Sequence, residues 1–204
     1  MKSADAVQVY HARVTDLPLD STTLSPDERQ RAARFKFDRD RENFIVRRVL
    51  LRKILGHYLK MDPEKIIFKY GPNGKPELPG LHFNASHSNG HILIAIAPCV
   101  VGVDLEYIRP MEDMEQIAKR FFSPPERLLV KDAASFFRIW SRKEAFLKTT
   151  GEGLSDRLTK IDVTGASFEG IHLHDLSIAP DFSAALGVQG AITKIICEPW
   201  PGVR

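Results

Sequence analysis

Asp104 and Glu106 stand two residues apart in the segment GVDLE, 102–106. They follow Val100, Val101 and Val103, so they read as the polar end of a buried strand, and the two-residue period of a strand turns both carboxylates to one face. Carboxylates held side by side repel unless a proton or a cation lies between them. A hard divalent cation, Mg²⁺ or Mn²⁺, answers that need, because it takes oxygen ligands and shares them with phosphate. Two solvated surface acids fit the same spacing. Further along, WSRKEAFLK, 140–148, reads as a helix in which Trp140, Glu144 and Lys148 recur every four residues and share a face. Glu144 and Lys148 there are either an exposed ion pair worth roughly a few tenths of a kcal/mol, or a further oxygen ligand beside a cation for a phosphate oxygen. The second arrangement is the equipment of phosphoryl-type transfer, where positioning and charge compensation supply most of the catalysis. Trp140 reads as packing at the base of such a site.

Three other places carry groups that suit phosphate. Lys75 lies in GKP, 74–76, within the Gly/Pro-rich loop 71–80; Ser86 and His87 lie in FNASHS, 83–88. Taken singly, an exposed loop cation and a turn histidine explain them as well. From Arg29 to Lys60 the chain has eleven Lys/Arg, Arg31 among them, against three acids, a local charge of +8. Such a face attracts the phosphates of nucleic acid or of a cofactor, or an acidic protein. A solvated helix face built of long cationic stems has the same composition.

The elements that must position these groups follow from local pattern. Residues 7–14 alternate as a strand. Ser25, Pro26 and Glu28 make a capping box that opens a helix to about Phe37, and a second helix covers about 40–60. Strands are expected at 66–70, 81–84, 92–97 and 100–106. Helices follow at about 113–121, at Ser123 with Pro124, Pro125 and Glu126 as a second capping box, and at about 132–149, closed by Gly151. Residues 159–198 read as three or four strands. One helix-and-strand half followed by another argues for an α+β fold, two similar subdomains with a boundary near 103/104.

Composition is that of an ordinary globular chain, 43% hydrophobic and 27% charged, with a net charge of only +3. Its 204 residues can bury a core without disulfide staples. Cys99 and Cys197 match no zinc-ligand spacing and read as reduced thiols of a cytosolic protein. The first residues lack the apolar stretch of a secretory signal. The longest apolar run, 92–103, contains Pro98 and is too short to span a bilayer.

GVDLE followed by WSRKEAFLK, with GKP and FNASHS upstream and SPDERQRAARFKF, 25–37, before them, resembles the motif set of the Sfp-type 4′-phosphopantetheinyl transferases over roughly residues 25–155. The resemblance implies two α+β halves, each a small antiparallel sheet packed with helices, related by a pseudo-twofold with the site in the cleft between them. The residues 1–103 would form the adenine and 3′-phosphate side and 104–204 the metal side. It implies transfer of the 4′-phosphopantetheine arm of coenzyme A to a serine of an apo acyl or peptidyl carrier protein, leaving 3′,5′-ADP. Asp104, Glu106 and Glu144 would be Mg²⁺ ligands, with Mn²⁺ an alternative. Glu144 would also serve as base, alone or through a metal-bound water. Lys148 would hold the pyrophosphate; Ser86 and His87 would contact phosphates; Lys75 and Arg31, with Arg29 and Arg34 as neighbouring candidates, would grip the adenosine 3′,5′-diphosphate. A cytoplasmic monomer is expected, with neither nucleic acid nor membrane as partner.

Two other classes use the same residues. A metal-dependent phosphoesterase or nuclease would need the carboxylates but leaves FNASHS and GKP without a role. A basic nucleic-acid module would use 29–60, which lacks interleaved aromatic platforms.

Overall fold

The computed structural model describes residues 6–71, 73–153 and 156–203; Pro72 of the expected loop, the ends of the expected halves and Leu154 and Ser155 of the motif-bearing span lie outside the described residues. In chain order the elements are β1 (Ala6–Arg13), α1 (Pro26–Ala33), α2 (Asp38–Leu59), β2 (Lys69–Tyr70), β3 (Pro76–Glu77), β4 (His82–Ser88), β5 (His91–Ala97) and β6 (Val101–Tyr107). Then come α3 (Met114–Phe121), α4 (Pro124–Leu129), α5 (Ala133–Thr150), β7 (Ser167–Phe168), β8 (Ile171–Leu176), β9 (Phe182–Gln189) and β10 (Lys194–Pro199).

Two four-stranded sheets carry the architecture, one ordered β10-β1-β5-β4 and the other β6-β9-β8-β7. Alternation along the strands sends one set of apolar side chains to each face. Leu93 and Ala95 of β5 join Val103, Leu105 and Leu186 in a core shared by both sheets. Their neighbours Ile92 and Ile94 instead pack with Leu50 and Ile54 of α2. On the second sheet Leu173 packs with Phe136 and Phe146 of α5. Each half is thus a small sheet covered by one long helix, the α+β arrangement expected from sequence. Among the described residues the strand pairs are antiparallel except β1 with β10, which run parallel. The last strand of the chain therefore returns to the first sheet, and β6, which contains positions 103 and 104, lies wholly in the second.

The halves share a buried device as well as a layout. In α1 the capping-box Glu28 takes the Ser25 N–H at 3.0 Å and pairs with Arg52 Nε of α2 at 2.6 Å. Arg52 also donates to the carbonyls of Pro63 and Ile66, at 2.8 and 3.1 Å. In α4 the capping-box Glu126 takes the Ser123 N–H at 2.7 Å and pairs with Lys143 Nζ of α5 at 2.8 Å. Lys143 likewise donates to two carbonyls of the following loop, Leu158 and Ile161, both at 2.7 Å. In each half a buried cation joins a short helix, a long helix and the loop after it. This is the chemical counterpart of the loose repeat seen in the element order.

Two strand expectations change. Only Lys69–Tyr70 of the expected 66–70 strand pairs, because Ile66 is buried and gives its carbonyl to Arg52 rather than to a ladder. The expected 81–84 strand runs on through Ser88, so Ser86 and His87 are strand residues rather than turn residues. Polar Asn84, Ser86 and Ser88 gave no apolar signal because the surface they face is another strand, not a core. Pro98 and Cys99 do separate two strands, which belong to different sheets. Cys99 and Cys197 are free thiols.

Removing one partner of a buried ion pair strands the other charge and costs about 3–5 kcal/mol. Lys143→Met is expected to lower the unfolding free energy by about that amount, read by urea denaturation, whereas substitution of the exposed Arg41 paired with Asp38 changes it by less than about 1 kcal/mol.

Candidate active site

One edge of β6 pairs with β9; the other faces β4 without a backbone ladder. Its inward N–H groups are satisfied by side chains. Val103 N–H donates to Asn84 Oδ1 at 2.9 Å, Leu105 N–H to Ser86 Oγ at 3.3 Å and Tyr107 N–H to Ser88 Oγ at 3.0 Å. The same hydroxyls reach the carboxylates: Ser86 Oγ donates to Asp104 Oδ1 at 2.9 Å, and Ser88 Oγ is 3.4 Å from Glu106 Oε2.

Helix α5 approaches from the other side because of two glycines. Gly102 of β6 and Gly187 of β9 are cross-strand partners. A Cβ at Gly102 would come within 2.4 Å of both the Ala145 carbonyl and the Thr149 N–H, and one at Gly187 within 2.4 Å of Thr149 Oγ1. The helix backbone rests on this bare patch. Its Lys148 Nζ then lies 2.6 Å from Asp104 Oδ1 and 3.0 Å from Ser86 Oγ. One helical turn earlier, Glu144 faces the same carboxylates. Burial and the nearby Asp104 push the Glu144 carboxyl above the ordinary range, with Lys148 pulling the other way and Glu106 adding to the rise. Glu106 is raised for the same two reasons in the same order, opposed by Arg109, Lys148 and Ser88. Asp104 is 3% exposed, and its second oxygen, Oδ2, is buried without a hydrogen-bond partner among the described residues. Among the described residues no three His, Cys, Asp or Glu side chains stand as a ready-made ligand cluster. The electrostatics couple three carboxylates while Lys148 supplies the positive charge at Asp104 Oδ1, which leaves Oδ2 as the free buried acceptor.

The opposite face of β4 forms part of a cavity of about 220 Å³. Phe44, Arg47, Arg48 and Leu51 of α2, at helical spacing, line it together with Arg31, Pro76, Ser86 and His87. The Arg31 guanidinium lies over the Phe44 ring, 5.3 Å from its centre. Burial, followed by the charges of Arg31 and Arg48, works against the Arg47 cation, and Asp40 supports it. Crowded cations of this kind call for an anion. Arg48 is already committed in part, with Nε 3.1 Å from Glu28 Oε1.

Two family descriptions match successive parts of the chain: "4′-phosphopantetheinyl transferase, N-terminal" over residues 12–99, and "4′-phosphopantetheinyl transferase superfamily" over residues 100–197. The 4′-phosphopantetheinyl transferase HetI of Nostoc sp. is 40% identical over 191 residues, covering 83% of this chain and 80% of that protein. The chain belongs to the 4′-phosphopantetheinyl transferase superfamily. The Thraustochytrium sp. phosphopantetheinyl transferase is 31% identical over 206 residues, 86% of this chain and 72% of its own length. The transferase Sfp of Bacillus subtilis is 36% identical over 149 residues, 69% and 66% of the respective lengths.

Within this transferase-family chain the residues singled out from sequence fall into two groups joined by Ser86. Asp104, Glu106, Glu144 and Lys148 converge on the α5 face of β6. Arg31, Ser86 and His87 converge on the cavity, and neither Arg29 nor Arg34 lines it. Lys75 takes a third position. Its Nζ donates to the Lys148 and Val101 carbonyls, at 2.5 and 3.3 Å, so two of its three N–H groups tie the loop to the end of α5. Burial lowers its pKa, against the pull of Glu77. Asn73 Nδ2 adds a 2.7 Å bond to the Gly151 carbonyl. Trp140 stacks on Phe136, 9° from parallel, as a packing residue. Sequence reasoning missed Asn84, Ser88 and Arg109 and did not separate Arg47 from its neighbours. The one available signal for Arg47 was its helical spacing from Phe44 and Leu51. The cationic stretch itself is divided: Arg52 is buried in an ion pair, and Arg31, Arg47 and Arg48 surround the cavity rather than forming one open face.

Gly102→Ala is expected to destabilise the fold by about 1–3 kcal/mol, the usual cost of overpacking, and to displace α5, with activity falling further than stability accounts for. Glu144 yields a test with a sign. Its folded-state pKa is raised, so the stability it contributes is fully present below the ordinary glutamate range and declines as pH rises through the raised range. Without divalent cations, Glu144→Gln is therefore expected to raise the melting temperature at neutral pH by about 2–4 °C, the shift that ~1 kcal/mol gives in a chain of this size, and to flatten its pH dependence.

Proposed function

We propose that this chain moves the 4′-phosphopantetheine arm of coenzyme A onto a serine hydroxyl of an apo acyl or peptidyl carrier protein, with Mg²⁺, releasing 3′,5′-ADP. The observation that carries this reading is Ser86. It lines the cationic cavity on one face of β4 and bonds to Asp104 on the other, so one residue joins that cavity to the carboxylate cluster.

In this reading the adenosine 3′,5′-diphosphate end lies among Arg31, Arg47 and His87, and the pyrophosphate reaches past Ser86 toward Lys148. A divalent cation fits the remaining groups: the buried, unpartnered Asp104 Oδ2 and the two raised carboxylates of Glu106 and Glu144 are oxygen donors that a hard cation favours. When bound, Mg²⁺ (or Mn²⁺) would act as a Lewis acid on a phosphoryl oxygen. Glu144 accepts the proton of the carrier serine as general base. The serine oxygen forms the new bond to phosphorus as the bond to 3′,5′-ADP breaks, and Lys148 offsets the charge that develops on the leaving phosphate. Lys75 serves first by holding the loop on α5, with one N–H left for phosphate. The reading includes a cytoplasmic monomer acting in fatty-acid, polyketide or nonribosomal-peptide assembly. Among the described residues no helix is long and apolar enough to cross a membrane.

Apo carrier protein incubated with the chain, coenzyme A and Mg²⁺ should gain the mass of one phosphopantetheine. Absence of that gain on acyl and peptidyl carriers alike, with folded protein, would overturn the reading. Asp104→Ala and Glu144→Gln should lower the rate by at least about 10²-fold, the lower range for loss of a general base or of electrostatic stabilisation. Arg31→Ala should raise KM for coenzyme A while Arg29→Ala leaves it unchanged; equal effects would remove Arg31 from the cavity role.

A further inference from the structure

The open edge of β6 poses a question that the reaction chemistry does not answer. A strand that carries metal-site carboxylates needs a fixed height and twist, yet among the described residues β6 has a strand partner on one side only. On the other side stand three side chains of β4, every second residue, each accepting one backbone N–H of β6. Ser86 already belongs to the site. Asn84 and Ser88 do not line the cavity around Arg31 and His87. Asn84 is buried, and its oxygen is spent on Val103 N–H, next to Asp104. Ser88 accepts Tyr107 N–H, next to Glu106, and its hydroxyl lies 3.4 Å from the Glu106 carboxylate.

The register of this side-chain ladder is set locally. Ser88 pairs with His91 across the two-residue loop Asn89–Gly90, and both loop residues have positive φ, 42° and 76°. Asn-Gly is the sequence that such a hairpin turn favours. A slip of one residue would turn Phe83, Ala85 and His87 toward β6 and leave its N–H groups buried without acceptors. The hairpin therefore fixes which side chains of β4 meet β6. The same alternation sends His87 to the cavity.

We propose that Asn84 and Ser88 are positioning residues: they replace a neighbouring strand along the open edge of β6 and so fix Asp104 and Glu106 relative to the phosphate-contact residues on β4. Their loss should loosen the carboxylates while leaving the cavity intact. Coenzyme A binding should persist, and the turnover and divalent-cation requirement should change.

The kinetic arm of the test rests on the transferase reading; the exchange and metal-binding arms do not. In Asn84→Ala, amide exchange of Val103 should accelerate at least about tenfold, the factor that loss of ~1.4 kcal/mol of protection gives at 25 °C, with Leu105 little changed. In Ser88→Ala the accelerated amide should be Tyr107. Both variants should need about tenfold more Mn²⁺ for half-saturation, measured by electron paramagnetic resonance of free Mn²⁺. Both should bind coenzyme A within about twofold of the parent by calorimetry. Transfer should show a lowered kcat with KM for coenzyme A nearly unchanged. Ser88→Thr keeps the hydroxyl and should restore Mn²⁺ affinity and kcat. Unchanged Mn²⁺ affinity in both alanine variants would overturn the proposal. So would loss of coenzyme A binding in step with melting temperature, or failure of Ser88→Thr to rescue. If the parent chain shows no transfer to any carrier, the transferase reading fails, and exchange and Mn²⁺ binding still decide the positioning role.

Discussion

The structure depends on how a buried strand edge is satisfied. Backbone N–H groups away from water must find acceptors, and leaving one unmet costs about 1–3 kcal/mol. Most sheets meet this with another strand. Here the two sheets lie face to face, with β4 at the end of one and β6 at the end of the other, and the gap between them is bridged by Asn84, Ser86 and Ser88. Because the acceptors are side chains, one of them can also serve chemistry. Ser86 accepts from β6, donates to Asp104 and receives Lys148 in the same few ångströms.

That bridge explains how side chains from the two halves meet in one place. The first sheet with α2 supplies a cationic cavity. The second sheet with α5 supplies carboxylates and a lysine. In each half a buried glutamate–cation pair fastens a short helix and a loop to the long helix. Such pairs carry a large desolvation cost and are not strong sources of stability. What they fix is geometry, and in the first half Glu28 also holds Arg48 at the cavity wall. The Gly102–Gly187 patch performs the matching task in the second half, allowing α5 to approach until Glu144 and Lys148 reach β6.

The electrostatic character of the site follows from that closeness. Asp104, Glu106 and Glu144 share a partly buried region with Lys148 and Arg109 as the cations acting on them. Raised carboxylate pKa values and an unpartnered buried oxygen are unfavourable for the fold alone. They mark a place where the fold gathers carboxylates against its own electrostatic preference. Stability is given up locally where binding needs it.

Much was legible in the sequence because it depends on short-range pattern. Both capping boxes, the long helices, the closing Gly151 and the same-face spacings of Asp104 with Glu106 and of Glu144 with Lys148 follow from periods of two and 3.6 residues and from helix-end chemistry. Motif resemblance added the family. Tertiary structure alone decided which partners those faces meet. Beyond residue 84 the polar alternation of Ser86 and Ser88 gave no strand signal, since those side chains face the edge of β6 rather than an apolar core. Lys75 looked like a free loop cation until the end of α5 was brought to it, and Arg31 could not be told from Arg29 and Arg34 until α2 supplied the cavity wall. The sequence by itself determined which residues share a face, because that is set by the local backbone; only the fold determined what each face touches, because long-range contact depends on how sheets and helices stack.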